Sequence, residues 1–277
     1  MIKYDYCPIC KSKDIKIIKE EIYQYPYNID EGWNEVINKK LRKIFDIVLK
    51  DRSDLRCNIY QCNKCNFIFR MPRENPIEQG RKYNLNSKGK PYIYPTIRGE
   101  DKTITIREKR VYEIIKKYGN GKTILDVGGC DGSMCSRLKD EYKCHIVDKI
   151  EYKKLEGIDY LGEEITDQTL KYDVIMMIHI LEHLSYPLEF LEKYKNYLNK
   201  DGILLIATPR GYIKEWKARN DPTMHCNYFS METLRKAITT AGYKTIYDIE
   251  YNKDYEELYV VGMIDDQRDI PISEVDE

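Results

Sequence analysis

The sequence predicts an α/β protein: a doubly wound, mostly parallel sheet preceded by a small N-terminal cysteine module. Three observations carry that expectation. From about Lys102 onward, short apolar strands alternate with amphipathic helical segments, the pattern of a sheet covered by helices on both faces. A glycine-rich turn, Gly128-Gly129-Cys130-Asp131-Gly132, follows directly on the first of those strands. Two Cys-x-x-Cys pairs, Cys7/Cys10 and Cys62/Cys65, stand ahead of it all.

The cysteine pairs come first in the chain. Two such knuckles supply four thiolates for tetrahedral zinc, and four protein ligands leave no open coordination position, so the ion is expected to be structural. The 51 residues between the knuckles exceed the usual ribbon spacing. Glu31 to Leu49 has helical periodicity and reads as an insertion, which makes residues 1–72 a zinc-ribbon-like module. Cys57 is an alternative ligand, although its offset from Cys62 suits a knuckle less well. A redox role for either pair lacks the strand–helix context that such a dithiol needs. Residues 73–101 follow as a connector or cap, because Pro72, Pro76, Pro91, Pro95, Gly80, Gly89 and Gly99 punctuate the stretch.

Residues 102–277 form the third part. Thr103 to Tyr118 has helical spacing and ends at Gly119-Asn120-Gly121. Thr123 to Val127 is a buried strand, and a helix is expected from the glycine turn through Asp140. Cys144 to Asp148 is a second strand, and a weak third lies near Ile158 to Leu161. Tyr172 to Ile178 is continuously apolar, as a strand covered on both faces should be. Pro187 to Leu198 reads as a helix and Gly202 to Ala207 as a strand. Ser230-x-x-Thr233 opens a helix to Ala241 with a partial capping box. Tyr243 to Tyr251 and Leu258 to Ile264 close the sheet as a hairpin, which places one antiparallel strand at its edge.

Composition narrows the function classes. The chain has 46 Lys+Arg and 46 Asp+Glu, so whole-chain charge suggests no polyanion partner. That sum hides an asymmetry: residues 1–110 carry 24 basic and 15 acidic side chains, a net +9 offset by the remainder. No apolar run is long enough to span a bilayer, and Met1 to Tyr6 begins no signal-peptide core. With nine cysteines, an odd number, and no export signal, the expected location is a reducing cytoplasm.

The glycine turn sits where an open α/β sheet binds ligands, outside the carboxyl ends of its strands. Asp126 and Asp131 flank it. Carboxylates there repel a pyrophosphate but suit an ammonium group or ribose hydroxyls. Asp148 ends the second strand about 20 residues on, where an acid commonly accepts from a ribose diol. Leu125-Asp-Val-Gly-Gly-Cys-Asp-Gly-Ser133 resembles motif I of the class I S-adenosylmethionine-dependent methyltransferases. Tyr172 to Leu184, Asn199 to Pro209, and His225 to Leu234 with Ala241-Gly242-Tyr243 resemble later segments of the same family, in order and spacing. The resemblance covers roughly residues 100–264. It implies a Rossmann-like, seven-stranded sheet with the last strand antiparallel. It also implies that S-adenosylmethionine is held by Asp126, Gly128, Gly129, Asp131, Gly132, Ser133, Asp148 and His179. Leu161 and Gly162 are the equivalents near the adenine.

Methyl transfer needs nucleophile, methyl and sulfur in line, and a hydroxyl nucleophile gains from a general base. Of four histidines, His145 lies inside a strand and reads as packing. His183 and His225 are the candidate catalytic residues, as base or acceptor contact; Glu182-His183 reads equally as a structural hydrogen bond. Tyr212 and Tyr228 are weaker candidates. A Cys226–His225 nucleophile pair is disfavoured because chain neighbours seldom face each other. Bacterial relatives with such a cysteine module often act on sugars of surface polysaccharides or on natural products. C-methylating members carry a further C-terminal domain that this sequence has no room for. The expected reaction is therefore O- or N-methylation of a small metabolite, sugar-linked (a nucleotide sugar, for example) or phosphorylated. Two alternatives stand beside it: an RNA methyltransferase that uses the basic zinc module, and a non-catalytic binding module of the same fold. Nucleic acid is the less expected partner, and no membrane is expected.

Overall fold

The computed structural model describes residues 1–26, 34–50, 52–87, 102–150, 155–211, 225–251 and 256–266. Residues 88–101 of the expected connector, and Tyr212, lie outside the described residues. The N-terminal part contains β1 (Ile15–Gln24), α1 (Asn34–Lys43), β2 (Asp54–Cys62) and β3 (Ile68–Met71). α1 continues into a π-helical turn, Ile44–Val48. Leu41, Ile44, Phe45 and Val48 pack there on Tyr23, Leu55 and Cys57. Cys57 is thus a core thiol, apart from the two knuckles. α2 (Pro76–Ser87) runs through the stretch expected as a connector: Pro76 sits at its first position, where a missing N–H costs nothing, and Gly80 is tolerated inside it; α3 (Lys102–Tyr118) then leads into the larger sheet.

That sheet contains β4 (Thr123–Val127), β5 (Lys143–Val147), β6 (Ile158–Tyr160), β7 (Tyr172–Ile178) and β8 (Leu198–Pro209), with α4 (Pro187–Lys195) between the last two. Then come β9 (Asn227–Tyr228), α5 (Met231–Thr240), β10 (Tyr243–Tyr251) and β11 (Glu257–Ile264). The order across the seven strands is β6-β5-β4-β7-β8-β11-β10. β4 pairs in parallel with β5 and β7, and β7 with β8, whereas β11 runs antiparallel to both its neighbours. This is the expected seven-stranded sheet with its last strand reversed. The strand order switches direction at β4, which opens a ligand crevice at the carboxyl ends of β4 and its neighbours. Among the described residues, no helix is long and apolar enough to cross a membrane.

Three local expectations change. The segment after the glycine turn is a short 3-10 turn, Ser133–Cys135, followed by turns whose N–H groups reach back three or four residues. Ser133, Cys135 and Ser136 favour helix poorly. α4 ends at Lys195 because Tyr172 N–H takes the Tyr197 carbonyl at 2.8 Å and Leu198 already pairs with Tyr172. The Ser230 capping box is complete: Ser230 and Thr233 exchange backbone-to-side-chain hydrogen bonds at 3.2 and 2.9 Å.

The N-terminal part does not stand apart. β1, β2, β3 and β9 form one four-stranded sheet, so its fourth strand comes from the far end of the chain. Phe67, Phe69 and Met71 share an apolar cluster with Leu181, Leu188 and Phe229.

Candidate functional site

The glycine turn begins where β4 ends. Gly128 has φ +72, and a Cβ there would stand 2.1 Å from Ile180 Cδ1. Gly132 has φ +83, and a Cβ would lie 2.7 Å from Ile158 Cδ1. A Cβ on Gly129 would meet the Asp126 carboxyl carbon at 2.6 Å. Gly128 and Gly132 need a left-handed backbone that side chains rarely adopt, and a Cβ on Gly129 would run into the buried Asp126 carboxyl. Gly129→Ala should therefore displace the buried Asp126 side chain and weaken S-adenosylhomocysteine binding by at least about tenfold, one decade per ~1.4 kcal/mol. Calorimetry on the folded variant checks this, and unchanged affinity would remove the cradle role.

Asp126 is 1% exposed. Burial pushes its carboxyl up to about 8, with the charges of Asp148 and Asp131 adding to the shift. A cationic ligand group nearby would favour the ionised form. Asp148 accepts from Cys130 N–H at 3.0 Å and Ile150 N–H at 2.9 Å, one on each oxygen. Burial raises its carboxyl, and those two donors only partly oppose the rise. Each oxygen retains a second lone pair, as a ribose diol needs. Asp131 accepts from both the N–H (3.0 Å) and the hydroxyl of Ser133, which starts the 3-10 turn. Gly162 turns its carbonyl to Asp148 N–H at 3.1 Å, beside Leu161. The bare glycines between two carboxylates suit a ligand that combines an ammonium group with a ribose, and so fit S-adenosylmethionine.

The second half of the site stands at the end of β7. His179 has φ 58, and its N–H takes the Ala207 carbonyl at 2.8 Å. Its ring lies between two acids, with Nδ1 3.2 Å from Glu182 Oε1 and Nε2 3.0 Å from Glu257 Oε1. Glu257 is in turn held by Arg107, by Arg110 at 3.1 Å and by Tyr259 OH at 2.9 Å. Burial alone would lower the His179 ring; the two carboxylates outweigh it and raise it. His183 follows in the 3-10 turn Leu181–His183, with Nε2 3.8 Å from Glu182 Oε1. Cys226 N–H takes the Glu182 carbonyl at 2.8 Å, which draws the 225–228 segment onto that turn. The rings of His183 and His225 therefore meet edge to face, 4.6 Å apart.

Burial alone would raise the Glu182 carboxyl, but the surrounding imidazoles hold it at about 2. Burial lowers His225 to about 4, leaving a neutral ring at pH 7. His145 stacks edge-on against Tyr172 and reaches its hydroxyl at 2.8 Å, the packing role expected of it. Tyr228 donates to the His225 carbonyl at 3.2 Å and so supports that loop. Cys226 donates to the Leu184 carbonyl at 3.3 Å, and burial raises its thiol; neither feature suits a nucleophile.

The N-terminal sheet holds this arrangement from outside. β3 pairs with β9 through Ile68 with Tyr228 and Phe69 with Asn227. The Arg73 guanidinium is buried and donates to the carbonyls of Arg70, Leu184, Ser185 and Cys226, and to Asn227 Oδ1 at 2.8 Å. Asn227 Nδ2 donates to the Leu181 and Leu184 carbonyls at 2.7 and 2.8 Å. One guanidinium thus ties together the segments that carry His183 and His225. Nothing in the sequence pattern singled out Arg73, Asn227 or Glu257.

The two knuckles converge. Cys7 Sγ lies 3.6 Å from Cys65 Sγ, and Cys10 Sγ 3.5 Å from Cys62 Sγ. Both have the same turn: Lys11 N–H takes the Cys7 carbonyl and Asn66 N–H the Cys62 carbonyl, each at 2.9 Å and each with φ 58. Four converging sulfurs on matched turns fit one tetrahedral zinc ion.

Known proteins resemble this chain in sequence and in fold. A family model described as "Methyltransferase domain" matches residues 105–247, a little more than half the chain. A stretch of 126 residues is 23% identical to (S)-tetrahydroprotoberberine N-methyltransferase of Eschscholzia californica, covering 39% of this chain and 36% of that protein. Another of 57 residues is 33% identical to the ubiquinone biosynthesis O-methyltransferase of Glaesserella parasuis serovar 5 (strain SH0165), covering 21% and 24%. The matches thus span about a third and a quarter of these curated relatives. Among solved structures, the 1,6-didemethyltoxoflavin-N1-methyltransferase of Burkholderia thailandensis, with 1,6-didemethyltoxoflavin and S-adenosylhomocysteine bound, has a similar fold. The TM-score is 0.54 at 11% identity, over 76% of this chain and 96% of that one.

Proposed function

The chain belongs to the methyltransferase-domain family, and from that premise we propose that it methylates an oxygen or nitrogen of a small metabolite, sugar-linked or phosphorylated, from S-adenosylmethionine. One observation carries the reading: at the switch point of the sheet, a turn with left-handed backbone at Gly128 and Gly132 lies against Ile180, three residues before His183. The two curated relatives are named for small-molecule N- and O-methylation, which favours a small acceptor. The basic N-terminal part favours an anionic one.

When bound, S-adenosylmethionine supplies a methyl carbon on a sulfonium sulfur, which keeps the bonding electrons when an acceptor lone pair takes the methyl. The chain's own residues set the geometry. Gly128, Gly129 and Gly132 admit the cofactor's amino-acid end beside Asp126, and Asp148 accepts from the ribose hydroxyls. Asp131 and Ser133 fix the turn. His179, clamped by Glu182 and Glu257, fixes the end of β7. His183 and His225 hold the acceptor's polar atom. Cys7, Cys10, Cys62 and Cys65 hold a structural Zn²⁺, and their reduced thiols suit the cytoplasm.

His183→Ala and His225→Ala should each lower turnover by about 100-fold, the lower range for a positioned acid–base group, with S-adenosylhomocysteine affinity retained. Unchanged turnover in both variants would remove their acceptor role.

A further inference from the structure

A second cluster of metal-ligand type lies in the same site. Glu182, His183 and His225 each offer one ligand atom, and these atoms all lie within 4.8 Å of one another. We propose that these three residues bind a divalent first-row metal ion that holds the acceptor hydroxyl, which makes the transfer an O-methylation. The proposal rests on the methyl-transfer reading above and goes beyond it in naming the acceptor's chemistry.

Three features support the site. Glu182 is 1% exposed, yet its Oε1 receives no aligned hydrogen bond. The nearest nitrogens, His179 Nδ1 and His183 Nε2, lie at 3.2 and 3.8 Å. Its other oxygen has Thr208 Oγ1 at 3.3 Å, a long contact. A buried carboxylate oxygen so placed gains most from a cation.

Next, the donor set is selective. One carboxylate and two imidazoles suit Zn²⁺, Mn²⁺, Fe²⁺ or Co²⁺. Ligand–metal distances of about 2.0–2.2 Å need only a modest contraction of the present cluster. Three protein ligands leave a position for a substrate oxygen, unlike the closed four-cysteine set.

Finally, the ligands are held before any ion arrives. Cys226 N–H on the Glu182 carbonyl fixes the 225–228 segment against the 3-10 turn, and Asn227 bonds both Leu181 and Leu184. His179, backed by Glu257, stands behind the carboxylate as its positioning partner.

An ion in this place lowers the pKa of a coordinated hydroxyl. The hydroxyl proton leaves to solvent, the oxygen lone pair forms the new C–O bond, and the C–S pair stays on sulfur. His183 and His225 then act on the acceptor through the ion.

The test is a Co²⁺ titration of the full-length, zinc-loaded protein, followed by visible absorption. One further equivalent should bind and give d–d bands without the intense thiolate charge-transfer bands of a cysteine site. His225→Ala should weaken that equivalent by at least about 100-fold, beyond the effect usual for outer-shell partners. Glu182→Gln should do the same, and if this buried variant fails to fold, His225→Ala decides alone. No further equivalent in the wild type, or one that persists in His225→Ala, overturns the proposal. S-adenosylhomocysteine titrated into the same samples separates the two readings. Its binding without a second ion removes the metal site and leaves methyl transfer standing. A second ion without its binding does the reverse.

Discussion

Arg73→Met should destabilise the protein by about 3–5 kcal/mol, because neutral buried acceptors lose a charged donor and each one left unsatisfied costs about 1–3 kcal/mol. The side chain is 1% exposed and donates to five acceptors on three separate segments. Several of those acceptors have a second donor. Tyr4 OH reaches the Ser185 carbonyl at 2.7 Å and Arg70 N–H the Cys226 carbonyl at 2.9 Å. The loss should therefore fall below the sum of five charged hydrogen bonds at about 1.5–3 kcal/mol each. Met preserves the stem against Tyr4 and Phe69, whose rings lie 5.6 and 5.7 Å from the guanidinium carbon. The activity change should be specific. The acceptor KM rises because His183 and His225 lose their common tie, while S-adenosylhomocysteine still binds at the glycine turn. Arg73→Lys keeps the charge without the fork and should recover only part of the loss. A thermal melt together with acceptor and cofactor titrations tests this. Unchanged stability and KM would show that the N-terminal sheet does not organise the acceptor side.

Cys62→Ser should have the largest effect of all. Cys62 is 0% exposed, ends β2 and faces Cys10. Binding energies of structural zinc reach about 10–16 kcal/mol in small peptides, and that energy is folding energy. Loss of one ligand should release the zinc equivalent and melt the knuckles. Because Cys62 and Phe67 share a cluster with Leu181 and Phe229, the damage should reach β9, His183 and His225. Metal analysis and near-ultraviolet circular dichroism of the variant check both parts. Full zinc content in a folded variant would contradict the four-thiolate centre. Cys57→Ser, a change in a separate core cluster, should leave zinc content intact.

How far the sequence revealed all this differs by region, for physical reasons. The large sheet was legible because the centres of β7 and β8, Val174–Ile178 and Ile203–Ala207, are almost wholly buried and read as apolar runs, and β4 breaks its run only at Asp126. The glycine turn was legible because positive φ and close packing admit few other residues. The four-stranded N-terminal sheet was not foreseen. β1 exposes Ile17 and Ile22 at 48% and 49%, so its alternation is blurred, and its sheet's last strand is two residues from position 227. Short strands that pair across more than 150 positions leave no local period to read. His183 and His225 were singled out from residue type, and the structure brings their rings together. What type could not supply was the approach of His225 to the Glu182-His183 pair, or Arg73 behind them; those depend on hydrogen bonds made only when the chain is folded.

The most direct test of the central claim is a calorimetric titration of zinc-loaded protein with S-adenosylhomocysteine, beside Asp148→Ala. Saturable binding in the wild type that falls by at least about 100-fold in the variant, or ~2.7 kcal/mol, is the expected result. It would place the cofactor across the glycine turn with its ribose on Asp148. Absence of binding to folded, metal-replete protein, or equal affinity in both, would contradict the account.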